Sequence, residues 1–204
     1  EMNRFISGIW LCLLLINFNS VALAQGIRQI TDAAGRTIDI PEKVDHIICS
    51  GSGCLRLATY LGVQDLVVGV DDIEKRNNQF DARPYAFANP QFKTLPVFGG
   101  FRGRDIPEKI ISLPTLPQVI FKTNGSTGYD PEKLSQKTGI PVISLEYGDL
   151  LHNRRDFYNS LTLMGQVLDR KERAGDLISF FDREITELQR RTRDIPDAGK
   201  KTCF

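Results

Sequence analysis

The chain has 204 residues, with 26 Lys or Arg against 25 Asp or Glu, so its formal charge is +1. That balance, without any basic block, argues against nucleic acid as an electrostatic partner. With 41% apolar and 9% aromatic residues, no internal repeat and no low-complexity stretch, the sequence reads as globular.

Arg4 precedes the apolar run Phe5 to Phe18, and Ala22 and Ala24 follow in a small-x-small pattern. This is the tripartite signature of a secretory leader over residues 1–24, with Gln25 as the first mature residue. The run is short for a membrane span, and no second apolar run suggests an anchor. Removing the leader leaves 180 residues, enough for one domain with a real core. Three cysteines remain, Cys49, Cys54 and Cys203, an odd number for an oxidising compartment.

Residues 27–40 hold two short β-prone runs around Ala33-Ala34-Gly35-Arg36, a hairpin turn. A strand over 44–49 leads through "CSGSGC" into a helix with Leu55, Leu57, Ala58 and Leu61 at helical spacing, closed by Gly62. With the next strand, 66–70, this makes a βαβ unit and implies parallel strands. Residues 71–94, with Pro84 and Pro90, read as an irregular excursion. A strand over 95–100 precedes a helix over 106–113, opened by Asp105 with Pro107 in its first turn. A strand over 118–122 and a helix over 129–139, capped by Asp130 and stopped by Gly139, lead to a strand over 141–146. These elements predict an α/β fold: an open, mostly parallel sheet flanked by helices on both faces.

Beyond Arg155 the pattern is helical alone. Phe157, Leu161, Met164 and Leu168 form one apolar stripe. Ala174, Leu177, Ile178, Phe181, Ile185 and Leu188 form a second, along one long helix. Arg190, Arg191 and Arg193 sit near its negative pole, and Pro196 stops it. The last residues, "GKKTCF", read as the opening of a further strand, so the chain reads as a fragment.

Ligands of open α/β sheets lie beyond the carboxyl ends of the strands. That rule selects four loops: Ser50–Gly53, Gly99–Arg104, Lys122–Gly128 and Tyr147–Leu150. In the first, two cysteines five apart supply at most two soft ligands, and only His46 and His152 could join them, too few for a closed zinc site. Gly51 and Gly53 begin a dinucleotide fingerprint, but Arg56 stands at its third glycine, and no Gly-Lys-Ser/Thr follows. The spacing is wrong for a redox pair, and it leaves a local Cys49–Cys54 disulfide open. Backbone amides here can still hold a hydrogen-bonding guest. Arg102 and Arg104 are permanent cations that suit carboxylates or phosphates, or else stand solvated in a loop. Phe101 offers an apolar face, and Tyr147 either stacks on a flat ligand or caps the core. No nucleophile elbow, activated histidine or carboxylate pair is evident, which favours binding over chemistry.

Taken in order, "TDAAGRTIDIPEKVDHIICSGSG", "LATYLGVQDLVVGVDD", "PEKIISLPTLPQVIF", "KLSQKTGIPVISLEYGD" and "LTLMGQVLDRKERAGDLISFF" resemble the exported substrate-binding proteins of ABC importers for iron chelates, haem and cobalamin. The resemblance runs from about residue 27 to residue 204, closest to the N-terminal part of a siderophore- or cobalamin-binding member. It implies two α/β lobes joined by one long helix, with ligand between them. Residues 25–152 would be the first, Rossmann-like lobe, 153–196 a helical segment with the connecting helix, and 197–204 the start of a second lobe that is missing. It further implies a monomeric, periplasmic, non-enzymatic protein without resident metal or cofactor. Such a protein captures an iron chelate such as a ferric siderophore, with cobalamin or haem as alternative cargo, and delivers it to an inner-membrane ABC permease. Ser50, Gly51, Ser52, Gly53, Phe101, Arg102, Arg104, Lys122, Asn124 and Tyr147 are then the ligand-binding candidates, and Glu108 matches the acidic residue that docks on the permease. The first loop departs from the family, where Ser-Pro or Ser-Leu and a Thr-Glu pair are common. The alternative from another class is an exported α/β enzyme using the glycine loop for a nucleotide or cofactor.

Overall fold

The computed structural model describes residues 26–76, 83–123, 128–196 and 199. The leader over 1–24, Asn124 and Cys203 lie outside them, as does all of 197–204 except Gly199. The described chain begins with an antiparallel hairpin, β1 (Ile27–Thr31) and β2 (Thr37–Pro41). Then follow β3 (Ile47–Ser50), α1 (Cys54–Tyr60), β4 (Val67–Asp71), α2 (Pro84–Ala88), β5 (Val97–Gly100) and β6 (Arg104–Asp105). The rest is α3 (Pro107–Ile111), β7 (Val119–Thr123), α4 (Pro131–Thr138), β8 (Val142–Leu145), α5 (Arg154–Val167) and α6 (Lys171–Thr192).

Six strands form one sheet in the order β6-β5-β4-β3-β7-β8, parallel throughout except for β6. The short apolar strands are buried on both faces, as parallel strands under helices must be. Alternation divides them. Ile47, Cys49, Val119, Phe121, Ile143 and Leu145 meet the layer of α1, α5 and the start of α6, while Ile48, Ile120 and Val142 meet Ile110 of α3 and Leu134 of α4. Asp130 caps α4 by accepting from Lys133 N–H at 2.9 Å, and Gly139 ends it in the left-handed conformation.

Two local expectations change. Asp105 does not open the helix at 106–113: it belongs to β6, and α3 starts at Pro107 behind Ile106 with no side-chain cap. The excursion at 71–94 contains α2 and two 3₁₀ turns, both of its prolines opening helical turns where their missing N–H costs nothing.

β8 is an edge strand, and the β1–β2 hairpin covers it. Ala33 N–H donates to Ser144 O at 3.1 Å, while Ser144 N–H donates to Asp32 Oδ2 at 3.1 Å. Arg36 binds the same carboxylate at 2.6 Å and also reaches Val142 O at 3.0 Å. An exposed row of strand amides is thereby closed. Burial alone would raise the Asp32 pKa, but the bonds from Arg36 and from the Arg36 and Ser144 amides outweigh it and hold the carboxyl below its ordinary value.

On α5, Phe157, Leu161 and Met164 are buried as the stripe predicts. On α6 only Ala174 and Leu177 are buried, Ile178 and Phe181 are partly covered, and Leu188 is 60% exposed. The helix, about 33 Å long at 1.5 Å per residue, runs past the body that buries its first turns. No helix among the described residues is long and apolar enough to cross a membrane.

Asp32 sets an acid limit on stability. With its folded pKa lowered, its contribution is complete at neutral pH and is lost as pH falls through the carboxylate range. Asp32→Asn should cost about 2 kcal/mol at pH 7 in urea unfolding and flatten the fall in stability on acidification; an unchanged acid slope would show that Asp32 is not responsible.

Candidate ligand-binding site

The chain leaves β3 through α1 to build β4 and β5 on one side, then returns to lay β7 on the other. Strand order therefore reverses between β3 and β7, and at such a point the connections diverge and leave a crevice beyond the strand ends. The sequence places Ser50-Gly51-Ser52-Gly53 on one wall of that crevice and Thr123 on the other.

The two walls touch. Thr123 Oγ1 donates to Ser52 O at 3.0 Å and lies over Gly51, whose φ is +87°. A Cβ at Gly51 would run into Thr123 Oγ1, so the left-handed turn and the close approach both require glycine. Gly53, at φ +77°, is flanked by the Tyr147 ring, 3.5 Å from where a Cβ would stand, and by Arg56 Nη2 at 3.6 Å. Ser52, Gly53, Arg56, Thr123, Glu146, Tyr147 and Phe157 line a small open cavity of about 10 Å³. Tyr147 itself is 54% exposed, so it stands at the crevice rather than capping the core.

A polar layer lies beneath. Ser50 Oγ donates to Asp105 Oδ1 at 2.6 Å. Lys122 Nζ donates to Asp105 Oδ2, to Ser50 Oγ at 3.2 Å and to Gly103 O at 3.0 Å. Lys122 is 3% exposed and Ser50 is fully buried. Ser50 and Lys122, ligand-binding candidates by sequence, have their polar atoms in this network, because alternation along β3 and β7 turns both side chains to the face of Ile48 and Ile120. Asp105, read from sequence as a helix cap, is the acceptor that holds them.

Phe101 and Arg102 form the tip between β5 and β6. Phe101 N–H donates to Asp72 Oδ1 at 2.7 Å, and the Arg102 guanidinium lies 5.6 Å from the Phe101 ring centre. Arg102 has φ +64°, a conformation unusual for a residue with a Cβ. Arg102 and Arg104 are exposed and form no ion pair among the described residues. Gly103 O takes the Lys122 ammonium, so this tip leans toward β7 and shares the edge with the Ser50–Gly53 loop. Asp71 ends β4 at the same edge; burial, with Glu74 adding repulsion, pushes its carboxyl up to about 7. Glu74 is itself held by Arg83 at 2.6 Å and the Tyr85 hydroxyl at 2.9 Å.

The Cys49–Cys54 disulfide that spacing left open is not formed: both are free and buried. They are neighbours in the α1-side core, where Cys54 Sγ donates to Phe121 O at 3.5 Å, and burial, with Cys49 adding, pushes the Cys54 thiol well up. The thiols act as small apolar side chains. Among the described residues no group of three His, Cys, Asp or Glu is placed to hold a metal ion. Glu108 lies exposed in the first turn of α3, with no ion pair among the described residues.

The architecture is thus an open α/β sheet with its loops gathered at a switch-point crevice and a long helix leaving the body. Residues 47–202 match the family model described as periplasmic binding protein, and the chain belongs to that family. No curated protein matches it. Among solved structures it is similar to a periplasmic solute binding protein from Veillonella parvula, with 23% identity and TM-score 0.64 over 84% of this chain and 50% of that one. The molybdate periplasmic binding protein MolA of a Haemophilus influenzae ABC transporter gives 21% identity and TM-score 0.66, over 84% of this chain and 56% of that one. The petrobactin-binding protein YclQ from Bacillus subtilis gives 15% and 0.62, over 83% and 55%. At these identities the likeness is one of fold. The chain spans about half the length of the solved structures it matches.

The close approach at Gly51 can be measured against a free glycine turn. Gly35 has φ +74° with nothing within 4 Å of a Cβ, so Gly35→Ala should cost about 1 kcal/mol. Gly51→Ala, which adds the collision with Thr123, should cost roughly 2–4 kcal/mol in chemical denaturation; equal costs would mean that the β3 and β7 walls are not in contact.

Proposed function

We propose that this chain is the ligand-capturing part of a periplasmic solute-binding component of an ABC importer, and that its cargo is an anionic iron chelate. The observation that carries the cargo is the composition of the ligand edge. Arg102 and Arg104 stand exposed and unpaired among the described residues, while the crevice beside them offers Tyr147 as a stacking surface. Permanent cations and a phenol ring suit a chelate with carboxylate or catecholate oxygens and an aromatic body. Haem or cobalamin is the alternative cargo within the same class.

This lobe is taken as one wall of a two-wall cleft. Its match to about half of each solved relative supports that, as does the apolar side of α6 left open at Phe180 and Leu188. Glu108, exposed at the start of α3, is assigned to docking on a basic socket of the permease. On this reading the ligand is held, not transformed: the Lys122–Asp105 and Arg83–Glu74 pairs are committed to internal partners.

The test is a titration of the chain with ferric tris-catecholate, ferric citrate, haem and cyanocobalamin, read by calorimetry and thermal melting. Saturable binding of an anionic ferric chelate is expected, with Arg102→Ser/Arg104→Ser weakening it about tenfold and leaving the melting temperature of the free protein unchanged. Preference for haem or cyanocobalamin would reassign the cargo; binding of none of the four would remove this function.

A further inference from the structure

One buried side-chain polar atom among the described residues has no partner. It is the Arg56 Nε, which meets no hydrogen-bond acceptor. The guanidinium is held from two sides, 5.9 Å from the Tyr60 ring centre and 5.6 Å from that of Phe157. Rings on α1 and α5 thus fix a cation in place without neutralising it. Glu146, a carboxylate lining the same small cavity, accepts from Asn159 Nδ2 at 3.4 Å and from no arginine among the described residues. A cation donor left buried and unsatisfied is costly, and an oxyanion relieves that cost best because a charge-assisted hydrogen bond is stronger than a neutral one.

The other end of the guanidinium, Nη2, reaches the crevice loop. Gly53, without a Cβ, lets Arg56 Nη2 and the Tyr147 ring come within 4 Å of the same point on the crevice loop. The amides of Ser52 and Gly53 donate to no acceptor among the described residues. The cavity between these groups, about 10 Å³, has room for roughly one water-sized atom. We propose that Arg56 is the anion-receiving group of this crevice: a single carboxylate or catecholate oxygen of the guest enters beside Gly53 and is bound by the guanidinium, while the body of the guest lies outside against Tyr147. This rests on the reading of the crevice as a chelate site and names the group that selects charge within it.

The test separates the two claims. Diamagnetic gallium(III) tris-catecholate, which is anionic, and a neutral gallium(III) tris-hydroxamate are titrated into the wild-type chain, Arg56→Gln and Arg56→Lys. The Arg56 Nε–H resonance is followed in parallel, and free citrate serves as a small anion. Arg56→Gln should weaken the anionic chelate at least about tenfold, leave the neutral one within about twofold, and be partly rescued by Arg56→Lys. The Nε–H resonance should move with the anionic chelate and with citrate. If the anionic chelate binds Arg56→Gln as well as it binds the wild type, the assignment of Arg56 is overturned while the chelate site stands. If neither chelate binds but citrate still moves the resonance, the chelate reading falls and the anion site stands. If Arg56→Gln lowers stability in a way coupled to Glu146→Gln and anion binding is unchanged, Arg56 serves an internal pair and the proposal is wrong.

Discussion

The ligand edge depends on one buried ammonium. Lys122, near the end of β7, bonds Asp105 of β6, Ser50 of β3 and the Gly103 carbonyl at once. Lys122, Ser50 and Asp105 come from three strands, and while β3 and β7 pair directly, neither is laddered to the antiparallel β6. A buried pair of this kind adds little net stability over an apolar substitute, since desolvation offsets most of the attraction. What it does supply is direction. An apolar triad could slide, whereas an ammonium with three acceptors fixes the β5–β6 tip relative to the crevice between β3 and β7. Arg102 is thereby presented at the same edge as Gly53 and Tyr147.

Above this layer the design is one of close backbone approach and partial satisfaction. Gly51 lets Thr123 bridge the two walls, and the rings of Tyr60 and Phe157 hold a cation whose Nε has no acceptor. Internal charges lower down are answered: Asp32 by Arg36, Glu74 by Arg83, Asp105 by Lys122. At the strand ends, Arg56, Arg102 and Arg104 form no ion pair among the described residues. The proposal of an anionic guest rests on this contrast between a satisfied interior and an unsatisfied edge.

Most of the fold was legible because the strands are short, apolar and separated by strong punctuation. Gly62, Gly139 and Asp130 stop or start helices where the pattern said they would. β6 was not legible: two residues in a Gly- and Arg-rich stretch carry no periodicity, and their pairing with β5 is a tertiary fact. Asp105 followed by Ile-Pro looks like a helix start, and only the arrival of Lys122 from β7 makes it a strand residue with a buried carboxylate.

The site was legible at the level of loops and less so at the level of atoms. The rule of strand ends selected loops that share one edge, where Gly51 meets Thr123 and Gly53 meets Tyr147. Ser50 and Lys122 were given to the ligand because their residue types suit one; sequence does not reveal that alternation aims both at a third partner. Arg56 registered only as the residue that spoils a dinucleotide fingerprint. Its three-residue spacing from Gly53, one helical turn, was the available signal that it returns to the loop. The two aromatic rings that hold it come from Tyr60 and from a helix a hundred residues further on, which no local pattern shows.

The central claim is that Lys122 and Asp105 act as one unit on which the geometry of the edge depends, and a double-mutant cycle measures it directly. Urea unfolding of the wild type, Lys122→Met, Asp105→Leu and the double variant gives the coupling. Each single change should cost about 3–5 kcal/mol by stranding a buried charge, while the double change costs far less than their sum, a coupling of about 3 kcal/mol. Additive costs would contradict the account and leave the ligand edge held by backbone alone.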